Sequence, residues 1–336
     1  MKVYKNYSLK HHNTFGIDVK AAIFAVVHHP AELKILLLGY RNKELLILGG
    51  GSNMLLTQDL DRLVIFNAIK GFEVIEENET TAIVKAGGGE NWHEFVMKCL
   101  GKNLGGVENL SLIPGTVGAA PIQNIGAYGV ELQDVFERLE ATELATGKQY
   151  VFDKAACEFG YRDSIFKEDL KGKFFITAVY FRLNKQHQVN VSYGAIQTVL
   201  AQRQIEQPNI HDVSQAVIAI RRAKLPDPKA LGNSGSFFKN PVIDLTHFEQ
   251  LQKNFPNIVH YPQADGKIKV PAGWLIEQCG WKGKRIGNTG AYEKQALVLV
   301  NYGNASGQEV YELAQAIAQS VEKKFGIRIT TEVNVI

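Results

Sequence analysis

The chain has 336 residues, of which 45% are hydrophobic, and its formal net charge is +3. At about 100 to 200 residues per domain, this length predicts about two domains, each able to bury a core without disulfides. Disordered and fibrous classes are therefore excluded. The 37 basic and 34 acidic residues are nearly balanced and form no run of five like charges, so we expect no nucleic-acid partner.

The chain also lacks the sequence features of membrane and secreted proteins. No apolar stretch approaches the roughly 18 to 20 residues that span a bilayer, and residues 1–6 lack the apolar core of a signal peptide. We therefore expect a cytoplasmic protein. Cys99, Cys157 and Cys279 are widely spaced, which predicts reduced thiols, and the adjacent histidine pairs lack metal-ligand spacing. No metal site is predicted.

The first glycine-rich segment lies between two short apolar runs. Residues 45–48 predict a strand, residues 49–53 (GGGSN) a turn, and residues 54–56 a second strand. A Rossmann fingerprint does not fit, because its glycine turn leads into a helix. A P-loop does not fit either, because no GK[ST] follows a glycine at the required spacing.

Two further glycine-rich segments follow. Residues 82–86 predict a strand that runs into the glycines at 87–89, and residues 92–100 then predict an amphipathic helix closed by Gly101. Residues 105–129 contain six glycines and show no periodicity, which is typical of a functional loop. Glycine lets a backbone approach a ligand and present N–H donors to phosphate oxygens, so the three segments together favour a dinucleotide-type cofactor over simple tight turns.

The second half predicts two helices and a closing strand. Asp212 is expected to cap a helix that ends in a cationic cluster near Lys224. Ser306 and Glu309 form a capping box for the last helix, which Gly326 ends. Residues 327–335 then alternate as a strand, with Glu332 opposite the apolar row.

Two segments carry candidate chemistry. A strand beginning near Ser236 would place Ser236, Phe238 and Asn240 on one face, and the hydroxyl could deliver a proton to a carbanion. A hydrolase nucleophile is poorly supported, because no GxSxG elbow surrounds Ser236, and a plain turn residue is the structural alternative. Arg162 could grip a carboxylate in bidentate fashion, or form a turn ion pair with Asp163.

Together these segments resemble the UDP-N-acetylenolpyruvoylglucosamine reductase (MurB) family, and the resemblance runs nearly end to end. Each glycine loop alone is unspecific, whereas the set is highly specific. The matching segments are NTFGID (13–18), LGGGSN (48–53), AGGGENW (86–92), IPGTVGAAPIQNIGAYGVEL (113–132), FGYRDSIFK (159–167), KLPDP (224–228), GNSGSFFKNP (232–241), YPQADG (261–266) and AGWLIEQCG (272–280).

The resemblance implies an α+β protein with an FAD-binding fold of the vanillyl-alcohol oxidase (PCMH) type in two subdomains, followed by an α+β substrate-binding domain. We expect the FAD-binding subdomains at 1–68 and 69–205 and the substrate domain at 206–336, near a composition shift at 184–210. The last strand is expected to be able to return to the active site. The chain stops four residues after Glu332, so its tail is shorter than in some relatives.

The resemblance also implies the reaction. NADPH would reduce a noncovalently bound FAD, and the reduced flavin would pass a hydride to the enolpyruvyl C3 of UDP-N-acetylglucosamine enolpyruvate. The product would be UDP-N-acetylmuramate, for peptidoglycan and cell wall biosynthesis. We expect a monomer with small-molecule partners only.

Site residues follow from the same resemblance, position by position. Ser236 is implied as the proton donor to C2, and Arg162 and Glu332 as stabilisers of the enolate-like intermediate; Glu332 would need to be protonated or to organise a donor. The implied FAD contacts are Gly49, Gly50, Gly51, Ser52, Asn53, Ile113, Pro114, Gly118, Ala119, Ile122, Gln123 and Gly126. The implied UDP-sugar contacts are Tyr193, Lys224, Asn240, Tyr261, Lys282 and Gln295.

Two alternatives stay open at this point. The first is a flavin oxidase of the same cofactor fold that acts on an alcohol with O2 as acceptor. The second is a nucleotide-sugar-binding regulator without turnover, which would bind a UDP-sugar tightly but show no NADPH-dependent bleaching of a flavin.

The first testable prediction concerns the attachment of FAD. Flavin oxidases of this fold often tether FAD through His or Cys, but residues 105–129 and the two earlier glycine turns contain no histidine. Denaturing the purified yellow protein should therefore release all of the flavin into the supernatant. Colour that stays with the precipitated chain would contradict noncovalent binding.

Overall fold

The computed structural model describes residues 1–336 and divides the chain into two compact units made of interleaved segments. Unit 1 comprises Met1–Tyr7, Ala21–Gly50 and Asp61–Ala223, and unit 2 comprises Ser8–Lys20, Gly51–Leu60 and Lys224–Ile336. The three consecutive domains expected from the sequence stay a prediction. No helix is both long and apolar enough to cross a bilayer.

The first sheet of unit 1 has four strands, in the order Lys2–Ser8, Lys20–Val27, Leu60–Asn67 and Leu45–Leu48. The predicted strand at 45–48 is thus confirmed, and it pairs in parallel with the 60–67 strand. Helix Pro30–Gly39 buries Leu33 and Leu36 among the apolar side chains of this sheet.

The second sheet of unit 1 is antiparallel and five-stranded. Helix Trp92–Gly101 begins at Asn91, whose side chain accepts a hydrogen bond from the Glu94 N–H. The apolar face predicted for this helix is buried in the largest core cluster of the unit, as expected for a 3.6-residue period. In spatial order the strands are Gln149–Asp153, Phe136–Glu143, Phe174–Asn184, Thr81–Gly87 and Phe72–Glu77.

Residues 105–129 contain more local structure than the sequence predicts. They form three 3-10 turns, at Glu108–Leu110, Val117–Ala119 and Pro121–Gln123, and a two-residue strand, Gly126–Ala127. That strand pairs with Val130–Glu131, which the 3-10 turn Leu132–Asp134 follows. Single turns of this kind leave no 3.6-residue pattern of apolar residues, so periodicity does not detect them.

Helices Gly194–Gln202 and Ile210–Lys224 complete unit 1. The unit ends at Ala223, one residue before the end of the second helix. The expected cap at Asp212 is wrong, because the helix begins two residues earlier. The Asn209 side chain accepts the N–H groups of His211 and Asp212 at 2.8 and 3.1 Å. Asparagine is as good an N-cap as aspartate, so residue type alone does not favour Asp212 over Asn209.

Unit 2 contains a four-stranded sheet, a three-stranded sheet, a parallel strand pair and three α-helices. The four-stranded sheet runs Gly232–Ser236, Val298–Asn301, Thr289–Ala291 and Arg285–Ile286, and the three-stranded sheet Val242–Ile243, Ile268–Lys269 and Tyr261–Pro262. Strand Asn334–Val335 pairs in parallel with Met54–Leu55. The helices are Leu245–Asn254, Ala272–Gln278 and Gly307–Phe325, and a 3-10 turn covers Lys10–His12.

The last helix is confirmed in detail. Both halves of the Ser306 and Glu309 capping box are formed, and Gly326 closes the helix in the left-handed region at φ 64°. The helix buries its predicted apolar face, from Val310 to Phe325. Its ends were predictable because both capping motifs are local.

The closing strand is only partly confirmed. Ile327, Ile329 and Val333 are buried as the alternation predicts, but Thr331 is exposed. Regular pairing covers only Asn334–Val335, with a single bridge between Thr331 and Phe238 before it. The segment is therefore extended but finds a strand partner over only part of its length.

A pair of glycine substitutions tests how closely unit 2 is packed. A Cβ at Gly307 would lie 1.8 Å from the Leu56 carbonyl oxygen, whereas a Cβ at Gly101 would meet nothing within 4 Å. Gly307→Ala should lower the free energy of unfolding by about 1–3 kcal/mol through overpacking. Gly101→Ala should raise it by about 0.5–1 kcal/mol, because alanine is the better helix former.

The measurement is the urea midpoint of each variant, with bound flavin kept constant. Equal effects at the two positions would contradict the close contact at Gly307.

Candidate active site

The glycine-rich segments of unit 1 converge. A Cβ at Gly49 would lie 2.6 Å from the Thr116 Oγ1, and one at Gly50 would lie 2.8 Å from the Gly115 Cα. Likewise, a Cβ at Gly118 would lie 2.9 Å from the Gly88 Cα. Only glycine permits these approaches, so turns from three distant parts of the sequence form one main-chain cradle.

This cradle fits a dinucleotide such as FAD. Backbone groups without side-chain cover can approach phosphate oxygens closely, which matches the absence of Rossmann and P-loop patterns. Of the predicted FAD contacts, Gly118 and Ala119 lie in the 3-10 turn Val117–Ala119, and Ile122 and Gln123 lie in the next one.

The rest of the first turn belongs to unit 2. Gly51 has a φ of 59°, and a Cβ there would lie 2.1 Å from the His12 carbonyl oxygen. Its own carbonyl accepts the Thr14 N–H at 3.0 Å. Ser52 follows in the turn, and the Asn53 carbonyl accepts the Asn334 N–H at 3.2 Å. The predicted turn at 49–53 therefore contributes to both units, with the division between Gly50 and Gly51.

The peptide before Ile113 and Pro114 is held from two sides. Leu112 is in the left-handed region at φ 60°. Its N–H donates to the His93 Nδ1 at 3.0 Å, and its carbonyl accepts from the Arg221 Nε at 3.2 Å. The His93 and Arg221 side chains therefore hold the Leu112 peptide, which directly precedes the predicted FAD contacts Ile113 and Pro114.

Arg162 lies on a tight turn of unit 1 and is also left-handed, at φ 56°. Its guanidinium donates to the Gly126 carbonyl, and its own carbonyl accepts from the Lys167 Nζ at 3.0 Å. The guanidinium carbon lies 5.4 Å from the centre of the Tyr161 ring. The expected FAD contact Gly126 therefore touches the residue expected to grip the substrate.

Ser236 and Glu332 lie on neighbouring segments of unit 2. The Glu332 N–H donates to the Phe237 carbonyl at 2.8 Å, next to Ser236 in the chain. Ser236 is exposed, whereas Glu332 is half-buried. The Asn53 Nδ2 lies 3.4 Å from the Glu332 carbonyl oxygen. Hydrogen bonds thus place the predicted catalytic residues Ser236 and Glu332 and the predicted FAD contact Asn53 on adjacent segments.

The strand expected to begin near Ser236 is wrong in its bounds. Strand Gly232–Ser236 ends at that residue, and Phe237 and Phe238 after it are both buried. A register shift between Asn233 and Ser236 interrupts the pairing, at a left-handed Gly235. Such a bulge breaks the two-residue alternation from which the strand was predicted.

Three of the predicted UDP-sugar contacts, Asn240, Gln295 and Lys282, lie around helix Ala272–Gln278. The Asn240 Oδ1 accepts the Ala272 N–H at 2.9 Å, and the Gln295 Oε1 accepts the Leu297 N–H at 3.3 Å. Lys282 forms a 2.9 Å ion pair with Glu277 of that helix.

The remaining predicted UDP-sugar contacts are exposed. Tyr261 lies in the three-stranded sheet and Lys224 at the start of the last segment of unit 2. Tyr193, in unit 1, stands edge-on to Tyr128 with the ring centroids 5.2 Å apart. Burial raises the pKa of Tyr128, and Arg221 opposes that rise.

No sequence pattern singles out His93 or Asn124, both of which support the predicted site. Asn124 is fully buried and left-handed, and it lies among the expected FAD contacts. An asparagine in a glycine-rich loop is a weak signal of a left-handed position. His93 lies on a helix that the sequence does predict, but its partner is 19 residues away.

Comparisons with known proteins agree with this architecture. Residues 21–153 match the FAD binding domain family, and residues 227–336 match the family described as UDP-N-acetylenolpyruvoylglucosamine reductase, C-terminal domain. A reductase of that name from Flavobacterium johnsoniae is 52% identical over 337 residues, covering 100% of both chains. One from Burkholderia pseudomallei is 52% identical and covers 97% of this chain and 95% of its own length.

Solved structures extend the similarity to the fold. The crystal structure of UDP-N-acetylenolpyruvylglucosamine reductase (MurB) from Thermus caldophilus matches with a TM-score of 0.71 at 22% identity, covering 100% of this chain and 99% of that one. 6-Hydroxy-D-nicotine oxidase from Arthrobacter nicotinovorans matches with a TM-score of 0.50 at 11% identity, over 97% of this chain and 86% of that one. The predicted α+β fold with a vanillyl-alcohol-oxidase-type FAD-binding part is confirmed.

A glycine cradle inside a matched FAD-binding domain, in a chain that also matches a reductase C-terminal domain, defines a flavin-dependent oxidoreductase. Within that class, the chain belongs to the UDP-N-acetylenolpyruvoylglucosamine reductase family. Its activity is the FAD-dependent reduction of the enolpyruvyl ether of UDP-N-acetylglucosamine in peptidoglycan synthesis.

A pH prediction follows from His93. Burial lowers the pKa of this histidine below 6.5, and the nearby Arg222 and Arg221 lower it further. The unfolded chain therefore takes up a proton more readily than the folded one, and stability falls as the pH drops below about 6.5. His93→Asn keeps a hydrogen-bond acceptor for the Leu112 N–H but cannot titrate.

The variant should lose less thermal stability than the wild type between pH 7.5 and pH 5.5. The measurement is the Tm at each pH, with His28→Asn, at an exposed histidine, as the control. Parallel Tm curves for the wild type and His93→Asn would contradict the prediction.

Proposed function

We propose that this chain uses NADPH to reduce UDP-N-acetylglucosamine enolpyruvate to UDP-N-acetylmuramate through bound FAD. The observation that carries the proposal is the 52% identity with a reductase of this name over the full length of both chains. We further propose that it works as a cytoplasmic monomer, in a step that supports the cell wall and thereby cell shape and division.

Residues of the glycine-rich segments are proposed to hold the cofactor. Gly49, Gly50, Gly51, Ser52 and Asn53 would contribute contacts from the first glycine-rich turn, and Gly118 and Gly126 would do so from residues 105–129. The bound FAD supplies a two-electron carrier between NADPH and substrate. The chain itself orients the two reactants and controls the proton.

Arg162 is proposed to bind the substrate carboxylate. Hydride addition to an enolpyruvyl double bond builds negative charge at C2 and on the carboxyl group, and a guanidinium neutralises such charge in a forked geometry. The contacts of Arg162 with Gly126 and Lys167 support this role, because they hold the turn that carries the guanidinium. A fixed cation needs no reorganisation during the reaction.

Ser236 is proposed as the proton donor to C2, with Glu332 assisting. Ser236 is exposed at the end of a strand while Phe237 and Phe238 after it are buried, so the hydroxyl stands on an anchored segment. A positioned acid contributes about 100 to 10,000-fold. We propose that Glu332 acts through a hydrogen bond or in its protonated form, because a second anion would oppose the developing charge.

Tyr193, Lys224, Asn240, Tyr261, Lys282 and Gln295 are proposed to contact the UDP-sugar. Lys224 and Lys282 carry charges that suit a diphosphate, and the exposed rings of Tyr193 and Tyr261 offer flat apolar surfaces. The ion pair of Lys282 with Glu277 supports a preset position for that ammonium group.

The test of this function separates the two half-reactions by stopped-flow absorbance of the flavin. NADPH is added first and the enolpyruvyl substrate second. Ser236→Ala should bleach with NADPH at the wild-type rate, because no carbon is protonated in that step. Its reoxidation by substrate should be slower by about 100-fold or more, since the proton donor is lost.

Equal slowing of both half-reactions, or no change in either, would exclude Ser236 as the donor. Bleaching followed by reoxidation only with O2 would instead indicate an oxidase. Tight binding of the UDP-sugar without any bleaching would indicate a regulator.

A further inference from the structure

Asn124 is a fully buried polar residue in the loop of predicted flavin contacts. It is 0% exposed and stands in the left-handed region at φ 41°. Its neighbours Gln123 and Gly126 are expected FAD contacts, but its own side chain points to other parts of unit 1, as its hydrogen bonds show.

The Asn124 amide connects its own loop to two other segments, at 131–133 and at 160. Its Nδ2 donates to the Glu131 Oε2 at 2.8 Å and to the Gly160 carbonyl at 3.0 Å. Its Oδ1 accepts the Gln133 N–H at 3.0 Å. Both N–H groups of the Asn124 Nδ2 are used. A flipped amide would place its oxygen against the Gly160 carbonyl, so the side chain can hold the Gly160 turn only in this orientation.

The segment it holds at 160 is the turn that carries Arg162. Gly160 and Asp163 exchange backbone hydrogen bonds at 3.1 and 3.2 Å, which places the left-handed Arg162 at the tip. The Ser164 hydroxyl, buried in unit 1, donates to the Ile122 carbonyl at 2.8 Å. The turn is therefore tied on both flanks to the loop of expected flavin contacts.

The guanidinium itself contacts the same loop. It donates to the Gly126 carbonyl, and a Cβ at Gly126 would lie 2.7 Å from the Arg162 Nη1. Hydrogen bonds from the Asn124 and Ser164 side chains thus connect the main chain at 122–126 to the turn that carries Arg162.

We propose that Asn124 is a positioning residue for Arg162, which sets the distance between the guanidinium and the flavin-binding loop. The inference rests on the proposed role of Arg162 in binding the substrate carboxylate. An error of about 1 Å in the placement of a reacting group can cost about 100-fold in rate. Asn124 touches neither the substrate nor the flavin in this proposal and acts only through Arg162.

The experiment uses Asn124→Gly in the flavin-loaded enzyme. Glycine tolerates the left-handed backbone, so the variant removes the side-chain bonds without straining the main chain. FAD affinity and the rate of bleaching by NADPH should stay within about twofold of wild type. Reoxidation by the enolpyruvyl substrate should be slower by about 10 to 100-fold.

Two comparisons distinguish positioning from a general loss of stability. The matched control is Asn103→Gly, an exposed asparagine with a φ of 58°, which should leave both half-reactions unchanged. The double variant Asn124→Gly with Arg162→Lys should reoxidise no more slowly than Arg162→Lys alone, because both changes remove the same interaction. A purely structural role would instead give multiplied effects.

The results separate failure of the inference from failure of the proposed function. If Arg162→Lys slows reoxidation but Asn124→Gly does not, or if Asn124→Gly slows both half-reactions equally, the positioning role is wrong. If Arg162→Lys itself reoxidises at the wild-type rate, the proposed role of Arg162 fails first. Should Asn124→Gly not retain FAD, Asn124→Asp takes its place, because it removes the N–H donors to Glu131 and Gly160, and unchanged reoxidation in that variant overturns the proposal.

Discussion

The close approach of main chain to main chain at glycines is the constraint on which unit 1 depends. Gly50 lies against Gly115, and Gly118 against Gly88, at distances where a Cβ would overlap backbone atoms. A buried backbone must satisfy its polar groups, and here the Gly118 N–H donates to the Gly88 carbonyl at 2.8 Å. The five-stranded sheet and helix Trp92–Gly101 support these glycine turns. One of the turns directly connects strand Thr81–Gly87 of that sheet to the helix.

The groups proposed for chemistry stand on irregular backbone supported by regular elements. Arg162 is at the tip of a left-handed turn, Ser236 is at the end of a bulged strand, and Glu332 is in an extended segment with a single bridge beside it. Loops on a rigid scaffold commonly carry functional groups. In a strand, side chains alternate between the two faces of the sheet, whereas a loop can orient a single side chain in another direction. The ties at Asn124 and Asn53 supply the rigidity that the loops themselves lack.

The positions where sequence-based prediction failed are all boundaries of helices or strands. The helix expected from Asp212 begins at Ile210, the strand expected from Ser236 ends there, and the strand expected over residues 327–335 pairs over only part of its length. The Asn209 cap decided where the helix begins, whereas pairing with distant segments decided where the two strands end. Pairing partners such as Thr331 and Phe238 are 93 positions apart in the chain, outside the range of any local pattern.

The sequence alone determined what depends on near neighbours. It determined the apolar faces of the helices at 92–101 and 307–325, the capping box at Ser306, the absence of Rossmann and P-loop spacing, and the family through motifs spread over the chain. Only the tertiary structure decided which glycines face one another, which side chains hold the Leu112 peptide, and that Asn124 ties the Arg162 turn to its loop. These features rest on hydrogen bonds and van der Waals contacts between residues far apart in sequence, and such contacts leave no periodicity along the chain.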